Sequence, residues 1–160
     1  MISDRTIQLI KTGAAGLLLI IALLIVLAPI GPLPGFFIGG TATVAPVVWN
    51  DTRDLHEVRL RVDGTLPRVV IIWVVQLENE LYVMGSNESG WVSMLGEGGP
   101  VELRIDGATY SLTAQRMTTG QLPVIEAYQE KYRPDYPDIV NGMGPPQDMI
   151  TGASVYRLLR

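Results

Sequence analysis

A long uncharged stretch near the amino terminus restricts the fold of this chain more than any other feature. From Thr12 to Asn50 no residue is charged, and Gly13–Ile30 is almost purely aliphatic. A helix needs about 20 apolar residues to cross a bilayer, whereas the apolar core of a signal peptide has about 7–15. The length therefore favours an uncleaved transmembrane anchor at residues 12–30, after a short tail at residues 1–11, over a removed signal peptide.

Charges on either side of this stretch predict its orientation. Arg5 and Lys11 precede the apolar run, whereas the first charges after it, Asp51, Arg53 and Asp54, are distant and mixed in sign. Positively charged flanks tend to remain in the cytoplasm. We therefore expect a single-pass membrane protein that contacts lipid, with a cytoplasmic amino terminus and the remaining chain on the outer or periplasmic side.

Residues 31–54 are predicted to be an apolar linker, because prolines and glycines interrupt any helix there. Phe36, Phe37 and Ile38 are apolar enough to lie at a membrane interface. The alternative interpretation of this segment is a docking strip for another subunit of a membrane complex.

Composition excludes several kinds of function. The net charge of −4 offers no basic surface to nucleic acid. The chain has no cysteine, which rules out thiolate catalysis and cysteine-ligated metals, and its single histidine, His56, rules out a multi-histidine site within one chain. We expect no metal.

Residues 55–160 are predicted to form one mainly β domain. Val58, Leu60 and Val62 alternate with polar residues, as in a half-buried strand, and Asp63-Gly64 is typical of a type I′ hairpin turn. The run 69–75, VVIIWVV, is apolar on both faces and predicts a doubly buried central strand.

The remaining segments complete a predicted order of β-β-β-α-β-β-α-β. ELYVM is a third strand, SGWVSMLG a short helix, and VELRIDGATYSLTAQRM a second hairpin that turns at Asp106-Gly107. LPVIEAYQEKY has helical spacing, NGMGPPQDMITG is predicted to be a loop, and ASVYRLLR alternates as a last strand. This order favours a small six-stranded barrel.

The same segments resemble the split β-barrel superfamily of pyridoxamine-phosphate oxidase-like and deazaflavin-dependent nitroreductase-like proteins. The matching residues are VDGTLPRVVIIWVV, ELYVMGSNESGWVSML, GPVELRIDGATYSLTAQRM, the helix ending AYQEKY and the closing VYRLLR. The resemblance implies a homodimer that binds FMN or deazaflavin at the subunit interface. It also implies cofactor-binding residues on the second strand and on the loop after the third strand: Arg68, Val69, Val70, Ile71, Trp73, Ser86, Asn87, Ser89 and Trp91.

The loop GSNESGWVS departs from the family pattern because it has no cation and one anion, Glu88. Positive charge for a cofactor phosphate would then come from Arg59, Arg61 or Arg68 on the first hairpin. Without a cofactor, the loop serines are turn and helix-cap residues, and the two tryptophans are core or interface anchors. Two functions follow: a membrane-anchored, flavin-binding oxidoreductase-like protein, or a non-catalytic accessory subunit of a membrane complex.

Overall fold

Six antiparallel strands close into a barrel at the centre of the structure, a computed structural model that describes residues 4–27 and 35–160. Neighbouring strands follow the order β6-β5-β2-β3-β4-β7, and β6 pairs with β7 to close the ring. The prediction of a mainly β, six-stranded barrel is confirmed. The strands are β1 Thr41–Thr43, β2 Glu57–Val62, β3 Arg68–Leu77, β4 Glu80–Ser86, β5 Gly98–Ile105, β6 Ala108–Arg116 and β7 Ala153–Leu159.

Five helices accompany the strands in the described residues. They are α1 Asp4–Leu27, α2 Gly90–Leu95, α3 Gln121–Tyr132, α4 Pro137–Gly142 and α5 Pro146–Gly152. Within residues 4–27 and 35–160, no helix is long and apolar enough to cross a membrane. The predicted transmembrane anchor is therefore not confirmed; the last part of it, residues 28–30, lies outside the described residues, as do residues 1–3 and 31–34 of the predicted tail and linker.

Alternating side chains fill the barrel interior. Leu60 of β2, Leu81 and Val83 of β4, Leu103 of β5 and Leu158 of β7 are all fully buried in one cluster. Successive strand residues point to opposite faces, so each strand contributes every second residue to this core. The period-two pattern in the sequence thus places the barrel wall correctly.

The central apolar strand β3 has both faces largely covered. Val74 faces the barrel core, while Val75 packs with Tyr128 and Tyr132 of α3 in a second cluster outside the barrel. Ile71 is only half-buried. The two-sided apolar run therefore reflects a barrel interior on one side and a covering helix over part of the other.

The two Asp-Gly pairs do not form the same turn. Residues 63–67 connect β2 to β3 as a loop, and neither Asp63 nor Gly64 has a positive φ, so the predicted type I′ turn is wrong there. Asp106-Gly107 does form a two-residue turn between paired Ile105 and Ala108, with Asp106 at φ 50°. The neighbouring apolar Leu66 and Pro67 lengthen the first connection.

Two short helices replace the predicted loop between α3 and β7. Pro137 and Pro146 each occupy the first turn of a helix, where the missing N–H of proline leaves no hydrogen bond unmade. The prediction of a loop at residues 141–152 is therefore wrong over α5.

Residues 35–54 lie along the barrel, and we refer to this segment as the strap. Gly35 exchanges two backbone hydrogen bonds with Val69, at 2.8 and 3.0 Å. Ile38 is buried, and β1 pairs in parallel with β6. Trp49 enters the barrel core cluster, edge-on to Tyr110 at 5.1 Å between ring centroids. The strap is thus bonded to the barrel at several points.

Tyr132→Phe should lower the free energy of unfolding by about 1–3 kcal/mol, since a buried donor would lose its acceptor. Pairing between β2 and β3 ends at Glu57 and Trp73, and the Tyr132 hydroxyl accepts the next N–H, from Val74, at 3.0 Å. Tyr136→Phe is the matched control because no hydrogen bond of its hydroxyl is found in the described residues. Chemical denaturation compares the variants; equal losses would contradict this role for Tyr132.

Candidate cofactor-binding site

Arg68 lies beside the predicted phosphate loop. It begins β3, and its guanidinium lies against Gly90, where an added Cβ would collide with Nη1. Within residues 4–27 and 35–160 it forms neither an ion pair nor a side-chain hydrogen bond. Arg61, by contrast, is paired with Glu102 at 2.6 Å and with Asp63 at 3.0 Å. The structure therefore brings one available positive charge beside a loop that has none.

The serines of the loop mainly stabilise the turn itself. The Ser89 hydroxyl donates to the Ser86 carbonyl at 2.7 Å, and the backbone N–H of Ser89 donates to the same oxygen at 2.9 Å. The Ser86 hydroxyl accepts from the N–H of Glu88 at 3.2 Å. Ser86 remains exposed, and an accepting hydroxyl still has its own proton to donate. Ser86 can therefore contribute to an anion site, whereas Ser89 is used locally.

Asn87 connects the loop to residues of α5 and β7 by hydrogen bonds. Its amide nitrogen donates to the Thr151 carbonyl at 2.8 Å, and its amide oxygen accepts from the Ser154 hydroxyl at 2.6 Å. Its backbone N–H donates to the Gly152 carbonyl at 3.1 Å. Asn87 thus positions the loop against α5 and β7, and its amide group is already engaged.

Both predicted tryptophans are engaged in packing. Trp91 is 6% exposed in the barrel core, and its ring lies against Gly85, where an added Cβ would be 2.8 Å from Cε2. Trp73 stacks on Tyr132 with 4.1 Å between ring centroids and an interplanar angle of 8°. One face of the Trp73 ring is therefore covered by its own chain.

The remaining predicted residues alternate along β3. Val69 is fully buried beneath the strap, and Val70 packs against the barrel core. Ile71 points outward into a surface pocket of about 260 Å³, which Arg59 and Arg104 also line. Trp73 lies five strand positions from Arg68, roughly 17 Å along the strand. The predicted set therefore divides between Arg68 at the start of β3 and the outward-facing Ile71 and Trp73 further along the strand.

Two pockets adjoin the loop on different sides. A pocket of about 220 Å³ contains Arg68 together with Phe36, Leu66 and Met94. Ser86 lines another, of about 340 Å³, between β4 and α5. Among the described residues, no group of three or more His, Asp or Glu side chains could hold a metal ion.

A further pocket contains a lysine that helical spacing in the sequence places only on α3. Lys131 borders a cavity of about 700 Å³ between the strap and α3. Its ammonium group donates to the carbonyls of Thr52, Leu55 and Val74 at 2.7–2.8 Å. Helical spacing could not reveal this role, because the acceptors are backbone atoms distant in sequence.

The lowered pKa of Lys131 predicts that the stability of the protein depends on pH. Burial lowers the pKa of its ammonium group from 10.5 to about 8, opposed by Asp51 and Asp54. Between these values this lysine binds more protons in the unfolded chain than in the folded chain, so the contribution of Lys131 to the free energy of unfolding should rise with pH across pH 8 to 10.5. Denaturation curves across that window should show a smaller rise for Lys131→Met. Lys11→Met removes the other lysine and should keep the full rise; identical slopes in both variants would contradict the prediction.

Burial also affects the tyrosines of α3. It raises the pKa of Tyr128 and of Tyr132, so both hydroxyls stay protonated at neutral pH. The Tyr128 hydroxyl lies 2.9 Å from the carbonyls of both Trp73 and Tyr82. These groups act as structural donors between α3 and the barrel.

Comparison with known proteins identifies the family. The model of a bacterial family described as "Uncharacterized protein conserved in bacteria (DUF2255)" matches residues 48–151, more than half of the chain. The chain belongs to the DUF2255 family. The match includes Trp49, all predicted site residues and Lys131, and it ends before β7.

Two solved structures are similar to the DUF2255 chain. A NimC/NimA family protein from Clostridium acetobutylicum is 20% identical, with a TM-score of 0.46, and the match covers 64% of this chain and 72% of that one. A protein of unknown function from Agrobacterium tumefaciens is 13% identical, with a TM-score of 0.43, and the match covers 71% and 56% respectively. The curated proteins include no significant match.

Proposed function

We propose that this DUF2255 chain binds a phosphate-bearing flavin or deazaflavin and serves an oxidoreductase-like function as a homodimer. The observation that carries the proposal is the Arg68 guanidinium beside Gly90, without a partner in the described residues. Arginine binds phosphate through charge-assisted hydrogen bonds, and Ser86 can add a hydroxyl donor. A bound flavin or deazaflavin would supply hydride-transfer chemistry.

The ring of the cofactor would lie along the outer face of β3. Ile71 is half-buried there, and the surface pocket beside it is open to a flat group. Because Trp73 already stacks on Tyr132 and also contacts Tyr136, we assign ring contact to Ile71 rather than to tryptophan stacking. A second subunit would cover the ring from the other side.

Arg68→Met should weaken binding of FMN and of deazaflavin about 10- to 100-fold, since charge-assisted hydrogen bonds contribute about 1.5–3 kcal/mol. Fluorescence titration of the detergent-solubilised full chain measures both affinities. Arg53→Met removes an exposed cation elsewhere and should change neither of the two affinities.

Glu88→Lys should tighten binding of both cofactors by adding a cation to the loop. Absence of micromolar binding to either cofactor would refute the proposal.

We further propose that the apolar segment at residues 12–30 attaches the protein to a membrane, with the amino terminus in the cytoplasm and the barrel on the outer or periplasmic side. Leu17, Leu18, Leu19 and Ile20 are all exposed on α1. Four consecutive residues cover roughly 300° of a helix, so apolar side chains face every direction, as in a helix surrounded by lipid. Carbonate extraction tests attachment, and carboxy-terminal reporter fusions test the side; recovery of the whole chain in the carbonate supernatant would reject attachment.

Local contacts around the loop favour a second function, that of an accessory subunit without a cofactor. Asn87 and Ser89 use their side chains in internal hydrogen bonds, and Trp73 is covered by Tyr132. In this function the barrel would bind other subunits of a membrane complex. Purification in mild detergent distinguishes the two functions. Stable co-purifying subunits support the accessory function, and a lone dimer with bound flavin supports the oxidoreductase-like function.

A further inference from the structure

Three exposed apolar side chains surround the mouth of the Arg68 pocket. Leu66 in the β2–β3 loop is 66% exposed, Met94 of α2 is 37% exposed, and Phe36 of the strap is also exposed. All three line the same pocket as Arg68. We call Phe36, Leu66 and Met94 the apolar rim. These residues come from three separate segments, so the apolar surface forms only when the chain folds. No continuous apolar run in the sequence indicates it.

The chain connects this rim closely to α1. From Leu27, the last residue of α1, to Gly35 there are eight residue steps, 35 minus 27. An extended chain spans at most about 3.6 Å per residue, so Gly35 lies within about 29 Å of the end of α1. Gly35 is bonded to Val69, next to Arg68. If α1 is held in lipid, the rim is therefore kept near the bilayer surface.

The chemistry of the rim fits lipid better than a second copy of the chain. Phenylalanine, leucine and methionine side chains gain free energy by leaving water, and a guanidinium among them suits the anionic headgroup layer. In a two-fold symmetric contact centred on the rim, each Arg68 would approach its own copy. Like charges brought together and desolvated disfavour such a contact.

We propose that the apolar rim rests on the bilayer and holds the mouth of the Arg68 pocket at the lipid–water boundary. The inference rests on the proposed membrane attachment of residues 12–30 but is independent of cofactor binding. It places the entrance of the pocket where a ligand can arrive from the membrane surface.

The absence of cysteine allows a direct test with single-cysteine variants of the full chain. Leu66→Cys and Met94→Cys carry an environment-sensitive fluorophore, with Ile139→Cys as the matched control. Ile139 is also apolar and 53% exposed, but it lies on α4 and is not among the residues that line the Arg68 pocket. The labelled proteins are reconstituted into vesicles of phosphatidylcholine and phosphatidylglycerol with nitroxide-labelled lipid.

Emission at positions 66 and 94 should shift to shorter wavelength and be quenched by the nitroxide lipid, whereas emission at 139 should keep its value in water. Quenching no stronger at 66 and 94 than at 139, in protein that floats with the vesicles, would overturn the rim contact and leave attachment intact. Protein that does not float with the vesicles would reject attachment and the rim contact together. Equal blue shifts at all three positions would also overturn the proposal, because they would indicate general burial.

Discussion

Trp49→Ala is expected to lower the free energy of unfolding by about 3–5 kcal/mol, the usual cost of truncating a large buried aromatic side chain. Trp49 is 5% exposed within the barrel core cluster, and it also contacts Tyr110 edge-on. Arg160 lies over its ring at 5.5 Å. The substitution therefore removes apolar burial, an aromatic pair and a cation–π contact at once.

Val47→Ala provides the control for this expectation. Val47 is 85% exposed, two residues before Trp49 in the same strap. Its truncation should change stability by no more than about 0.5 kcal/mol. Urea denaturation of the full chain, followed by far-ultraviolet circular dichroism, measures both variants. A loss for Trp49→Ala as small as that for Val47→Ala would show that the strap is not part of the cooperative barrel.

Trp91→Ala should also cost about 3–5 kcal/mol of stability. The Trp91 ring is buried beside Gly85 and lies 5.7 Å from the Tyr156 ring, between α2 and β7. Truncation would leave a cavity in the core that neighbouring strands cannot fill. The ring contacts core residues. Any loss of cofactor binding in this variant should therefore be explained by the smaller fraction of folded protein.

Ser93→Ala on the same helix is the control for Trp91→Ala. Ser93 is exposed, so its truncation should cost less than about 0.5 kcal/mol. Denaturation and flavin titration on the same samples separate stability from binding. A Trp91→Ala protein with normal stability and much weaker flavin binding would contradict the core role and assign Trp91 to the cofactor.

The sequence predicts the barrel well because each wall strand has its own short-range signal. Period-two alternation places Leu60 and Leu112 inside, and the apolar run at 69–75 marks the strand beneath α3. The strap could not be predicted in this way. Trp49 stands alone among valines and prolines, and its burial depends on contacts with β6 and Asn79 far along the chain.

The candidate site was predictable only in part, because sequence shows which groups are present but not which are already engaged. Arg68 is one of three arginines on the first hairpin; only the fold shows that Arg61 is paired with Glu102 while Arg68 faces Gly90. Likewise, the amide of Asn87 is suited to a ligand, yet it bonds Thr151 and Ser154. Long-range pairing of this kind leaves no periodic pattern.

Parallel pairing of β1 with β6 also has a consequence for the order of folding during synthesis. Thr41 pairs with Ala108, which the ribosome adds 67 residues later, 108 minus 41. At about 5–20 residues per second, this delay is roughly 3–13 s. The strap therefore leaves the ribosome well before its partner strand exists, and β1 cannot pair with β6 until β6 has been synthesised.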